Sequence, residues 1–152
     1  MSLFDNKYRI ETTRLKDWDY GSNAAYFITI CTKNKEHFFG EIQDDEMILN
    51  NFGLIVKQEW LQTPIIRPDM NLTLDEFVVM PNHFHGIICI GENEFNTTYD
   101  RDGMHPVSTE WKINQFGPQS KNLGATIGGF KSSVTKQIKK NRRRFWMARA
   151  LL

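Results

Sequence analysis

Short apolar runs separated by polar turns fill the first two thirds of the chain. Tyr26-Phe27-Ile28-Thr29-Ile30-Cys31-Thr32 is β-branched and aromatic, and the polar Lys33-Asn34-Lys35 follows it, which predicts a buried strand ending in a turn. Residues 37–42 and 47–49 flank Gln43-Asp44-Asp45-Glu46 and predict a hairpin. Asn50 or Asn51 can then cap a helix to Leu61, with Leu54, Ile55, Trp60 and Leu61 near helical spacing and Thr63-Pro64 ending it. Residues 71–80 contain Leu72, Leu74, Phe77, Val78 and Val79 and predict another strand. Met80-Pro81-Asn82 breaks it, residues 83–90 (HFHGIICI) form the next strand, and the two can pair around the break.

Residues 91–122 are polar, rich in Gly, Asn and Thr, and contain Pro106 and Pro118. A structureless loop of that length in a compact domain is expected to be mobile or functional. Beyond it, Leu123, Ile127, Phe130, Val134 and Ile138 recur at helical spacing and form one apolar stripe. Lys131, Ser132, Lys136, Lys139 and Lys140 occupy its other faces. Gly128-Gly129 weakens this helix by roughly 1 kcal/mol each relative to alanine and leaves room for a backbone to approach. Strands, helix, strands, helix is the order of an α+β sandwich with a largely antiparallel sheet and two main helices.

Composition narrows the class. At 152 residues, 40% hydrophobic and 24% charged, the chain suits a single domain over 1–152 and excludes global disorder, collagen-like sequence and a disulfide scaffold. Cys31 and Cys89 each sit in an apolar run without a CxxC pair, so two buried, reduced thiols are expected. No apolar stretch reaches 18 residues and the N-terminal segment lacks a signal-peptide pattern, which predicts a soluble, cytoplasmic protein with no membrane partner. The net charge of +1 hides an asymmetry: residues 121–152 carry nine Lys and Arg and no acid, leaving the rest at −8. A basic terminal segment of this kind suits a polyanion such as nucleic acid, and equally a solvated, solubilising tail.

His83 and His85, at i and i+2 on a strand, present both imidazoles to one face while Phe84 turns into the packing. Two convergent rings make half of a divalent-cation site, although an HxH pair also fits two strand histidines that only hydrogen-bond.

The surrounding residues add to this. Met80-Pro81-Asn82-His83-Phe84-His85-Gly86-Ile87 resembles the MPNHxHxI signature of the single-tyrosine HUH transposases, in particular the group that includes the repeat-associated tyrosine transposases. Tyr26-Phe27-Ile28-Thr29, Phe39-Gly40-Glu41-Ile42, Trp60, Gly129-Phe130-Lys131-Ser132 and Val134-Thr135-Lys136 match in the same order. The likeness spans roughly residues 8–140, with 91–122 resembling an insertion. It implies a ferredoxin-like αβ domain that forms a homodimer and binds single-stranded DNA beside a hairpin. His83 and His85 would hold Mg²⁺ or Mn²⁺ against the scissile phosphate, with a polar side chain near the nucleophile completing the metal shell. A helix-borne tyrosine would attack phosphorus to give a 5′-phosphotyrosine and a free 3′-hydroxyl. Lys131, Lys136, Lys139, Arg142, Arg143 and Arg144 would neutralise backbone phosphates.

One part of the pattern is missing. The tyrosine of this family falls near Ala150 and Leu151, where the chain has none, and Tyr8, Tyr20, Tyr26 and Tyr99 do not match its position. Trp146-Met147 must be encoded TGGATG, which one base later reads Gly-Trp and with permitted codons continues as His-Ala-Arg-Tyr-Tyr. The tail from about Phe145 is therefore expected to be out of frame, and the chain a truncated transposase without strand transfer or its third metal ligand. The alternatives are a domesticated or remnant DNA-binding module without catalysis, and a metal-dependent nuclease using water.

Overall fold

The computed structural model describes residues 15, 18–96 and 121–142 in full, and the backbone alone of 3–4, 8–9, 98–99, 106–107 and 143–150. In chain order these residues form β1 (Leu3–Phe4), β2 (Tyr8–Arg9), β3 (Ala24–Cys31), β4 (Gly40–Gln43), β5 (Glu46–Leu49), α1 (Asn51–Ile66), β6 (Leu72–Met80), β7 (His83–Ile90), β8 (Thr98–Tyr99), β9 (Pro106–Val107) and α2 (Leu123–Ala150). The main sheet is antiparallel throughout, in the order β3-β7-β6. Its three strands thus lie first, third, second, with a helix after the first and after the third. This is the α+β arrangement expected from the element order, and the ferredoxin-like one that the resemblance implied.

Period-two alternation sets the two faces of this sheet. In β7, Phe84, Gly86, Ile88 and Ile90 are buried while His83, His85, Ile87 and Cys89 are half-exposed; in β3, Tyr26 and Ile28 are buried opposite exposed Ala25, Phe27, Thr29 and Cys31. Both helices cover the first face. Trp60 of α1 and Phe130 of α2 meet Phe84 with ring centroids 4.8 and 5.6 Å away. The predicted stripe of α2 is the side that packs, with Leu123, Phe130 and Val134 buried and Ile127 and Ile138 against the core. The cysteines depart from expectation: Cys31 is exposed and Cys89 half-exposed, because both fall in the outward phase of their strands.

The hairpin β4–β5 forms through a two-residue turn, with Asp44 and Asp45 at φ 49° and 63°, the left-handed pair that a tight hairpin favours. Asn50 caps α1, its side-chain oxygen accepting from the N–H of Phe52 and Gly53 at 2.9 and 3.0 Å. Two expectations for α1 are corrected. The helix runs through Pro64 to Ile66, since a proline in the last turn forfeits one N–H while the Arg67 N–H still closes on the Thr63 carbonyl at 3.2 Å. Leu54 and Leu61 are 53% and 46% exposed, and the inward face is Gly53, Val56, Trp60 and Thr63 with Ile55. Among the described residues no backbone from outside α2 approaches Gly128 or Gly129. The Arg67 guanidinium lies beside Gly129 instead and donates to the Ala125 carbonyl at 3.1 Å.

The polar stretch expected to be a structureless loop has local order at its start. Asn93 donates to the carbonyls of Met70 and Gly91, Asn96 donates to those of Gly21 and Gly91, and β8 pairs with β9. The rest of 97–120 lies outside the described residues. No helix among the described residues is long and apolar enough to cross a membrane.

Candidate metal and nucleic-acid site

The hairpin β6–β7 turns at Pro81-Asn82, with Met80 opposite His83. Backbone bonds hold this turn from two sides: the Phe39 N–H donates to the Pro81 carbonyl at 3.0 Å and the Thr32 N–H to the Asn82 carbonyl at 2.9 Å. Asn82 in turn orients the first histidine. Its Nδ2 donates to the Lys35 carbonyl at 3.2 Å, so its Oδ1 is the acceptor facing His83 Nδ1 at 2.7 Å. That assignment places the proton of His83 on Nδ1 and a lone pair on Nε2.

His85 is arranged in the same way by a different neighbour. Its Nδ1 lies 2.9 Å from the hydroxyl of Thr29, the residue paired with it across β3. The two imidazoles stand with centroids 4.7 Å apart at 71°, and Phe27 stacks on His85 at 5.3 Å and 25°. Both Nδ1 atoms are thus engaged by side-chain oxygens, which is how metal-binding histidines are commonly fixed for coordination through Nε2. The donor set fits two adjacent positions of a divalent ion. Among the described residues no third His, Cys, Asp or Glu joins the pair. A nitrogen pair of this kind suits Mn²⁺ better than the oxygen-demanding Mg²⁺.

The basic residues predicted to contact DNA lie elsewhere. Lys131, Lys136, Lys139 and Arg142 are exposed on α2, which belongs to the layer across the sheet from His83 and His85. The helix runs antiparallel to α1: Arg67 meets Ala125, Ser133 donates to Glu59, and Arg142 lies over Phe52, 5.3 Å from its ring centroid. Its C-terminal part therefore heads toward the end of the sheet where β7 begins. The backbone of α2 continues to Ala150, while the side chains of Arg143, Arg144 and the tail from Phe145, and all of Leu151 beside the tyrosine-matching position, lie outside the described residues.

Sequence reasoning missed three groups that this geometry brings to the histidines. Asn82 and Thr29 orient the rings. Lys33 and Lys35 stand exposed in the one-turn helix after β3, bound to the site through the Lys35 carbonyl. The pairing of Cys31 with His83 places them there, and that pairing joins residues 52 positions apart. Asn82 had a visible signal in its place directly before His83.

Two tyrosines are removed from the chemistry. Tyr26 faces the core, its hydroxyl accepting from Trp18 Nε1 at 3.2 Å and donating to the Ser22 carbonyl at 3.1 Å, and burial raises its pKa above the ordinary phenol value. Tyr20 accepts from the Leu15 N–H at 2.9 Å and packs against the same core. The side chains of Tyr8 and Tyr99 lie outside the described residues.

A stretch of 131 residues is 41% identical to an uncharacterized protein of Haemophilus influenzae, covering 84% of this chain and 67% of that one. No family model matches the chain, and no solved structure matches it significantly.

Proposed function

The chain belongs to the same family as the uncharacterized Haemophilus influenzae protein, and we propose that it is a homologue of the HUH transposases that binds single-stranded or hairpin DNA in the cytoplasm as a homodimer. In this reading His83 and His85 hold Mg²⁺ or Mn²⁺, and the chain forms no phosphotyrosine. The observation that carries the reading is the paired arrangement of the rings, with Nδ1 engaged by Asn82 in one and Thr29 in the other and Nε2 left for a ligand.

When bound, the ion supplies positive charge that polarises a phosphate oxygen. The chain's own residues do the rest. His83 and His85 fix where that phosphate sits, and Asn82 and Thr29 keep both rings in register. Lys33 and Lys35, exposed in the turn whose Lys35 carbonyl holds Asn82, neutralise neighbouring phosphates. The positive face of α2 adds attraction that falls with salt and suits the stem of a hairpin. Covalent attachment needs a phenol beside the phosphate, and Tyr20 and Tyr26 are held on the other side of the sheet. Among the described tyrosine side chains neither stands beside the histidines, which supports DNA binding without strand transfer over an intact transposase.

Mn²⁺ binding, followed by the loss of the free-ion paramagnetic resonance signal, tests the site. His83→Ala and His85→Ala each weaken binding at least tenfold, and Asn82→Ala weakens it about tenfold by releasing His83. Wild-type affinity in both histidine variants would contradict the assignment.

A further inference from the structure

We propose that Phe27 is a platform on which a nucleobase of the bound strand stacks beside the histidine pair; this rests on the DNA-binding reading above. Phe27 is 68% exposed on the open face of β3, an edge strand of the main sheet. One side of its ring lies nearly parallel to His85. The outward neighbours on its own strand are Ala25 and Thr29, both too short to cover the other side. The ring is therefore held at a fixed tilt by the imidazole and offered to solvent.

Its place against His85 favours a base over an apolar protein partner. Thr29 flanks it, and the irregularity in β6 places exposed Asp75 and Glu76 across β7 at the level of Ile87, the residue paired with Phe27. Ile87, paired with Phe27, is half-exposed and Val78 is 43% exposed on the same face, so what points to a stacked base, which needs only a π-face, is the contact of the ring with His85 of the candidate phosphate site. The spacing also fits. Thr29, opposite His85, is about 7 Å along the strand from Phe27, and Cys31, opposite His83, is about 13 Å from it, at roughly 3.3 Å per residue. A base on Phe27 would leave its neighbouring phosphate within reach of the histidines, with Lys33 and Lys35 further along the same line.

The test uses the full chain in EDTA at low salt, where any effect of Phe27 on metal binding through His85 plays no part. The probe is an oligo(dT) strand substituted with 5-iododeoxyuridine. Long-wavelength irradiation should crosslink the iodinated base to Phe27, identified by peptide mass. Phe27→Leu, of similar bulk without a ring, should lose about tenfold in affinity while keeping its circular dichroism spectrum, and Phe27→Tyr should recover most of that loss. Wild-type binding with undiminished affinity in Phe27→Leu, or with crosslinks confined to other strands and helices, would overturn the platform and leave the DNA-binding reading standing. No retention of the strand by the wild type would overturn both.

Discussion

Trp60→Ala should lower the free energy of unfolding by about 3–5 kcal/mol, measured by urea denaturation monitored by far-ultraviolet circular dichroism. Trp60 is fully buried in α1 and touches both the sheet and the second helix, with ring centroids 4.8 Å from Phe84 of β7 and 5.3 Å from Phe130 of α2. Gly86 makes room for it: a Cβ there would stand 2.8 Å from the Trp60 ring. Truncation would open a cavity among rigid aromatic and backbone neighbours that cannot collapse to fill it. The indole Nε1 is buried with no hydrogen-bond partner among the described residues. Trp60→Phe therefore removes volume without breaking a hydrogen bond, and should cost clearly less. A loss below about 1 kcal/mol for Trp60→Ala would mean that this contact is not the centre of the core.

Gly53→Ala should also destabilise, against its usual sign. Alanine ordinarily favours a helix over glycine by about 1 kcal/mol. Here the added Cβ would lie 2.2 Å from the Phe39 carbonyl oxygen and 2.9 Å from Leu49 Cδ2. A backbone oxygen has no rotamer to escape into, so α1 and the chain at Phe39 must separate, at a net cost of about 2–3 kcal/mol. The displacement should reach the histidines. The Phe39 carbonyl accepts from the Asn50 N–H, and the Phe39 N–H donates to Pro81, two residues before His83. Mn²⁺ affinity should therefore fall along with the urea midpoint in Gly53→Ala. A variant more stable than wild type would contradict the close approach of helix and strand.

Most of the secondary structure could be read from local pattern. The HFHGIICI run alternates, and the structure alternates with it, histidines on one face and Phe84, Ile88 and Ile90 on the other. The stripe from Leu123 to Ile138 at helical spacing is likewise the packed side of α2. Errors came where tertiary contacts decide between similar residues. Leu54 and Leu61 are as apolar as Ile55 and Trp60, and only the position of the sheet makes them the outer pair. Pro64 reads as a helix stop, yet one missing N–H in a final turn is tolerated when the next N–H finds its carbonyl. The thiols face outward because strand phase, rather than the apolar character of the run, sets their burial.

The candidate site was legible in its two ligands and not in its surroundings. His83 and His85 share a face by strand geometry alone. Thr29 and Lys35 reach them through pairing between β3 and β7, which sequence separation conceals. Sequence also says nothing of where the basic residues of α2 stand relative to the histidines; Lys131, Lys136, Lys139 and Arg142 belong to the helical layer on the far side of the sheet.

The most direct test incubates the purified protein with a labelled, hairpin-bearing single strand taken from the DNA flanking its gene, with Mn²⁺ or with EDTA. The mixtures are resolved on parallel native and denaturing gels. The expected result is a shifted band on the native gel that weakens steeply with salt, and no covalent protein–DNA band under denaturing conditions. An unshifted strand at low salt would contradict DNA binding. A Mn²⁺-dependent covalent band would contradict the proposal that the chain forms no phosphotyrosine.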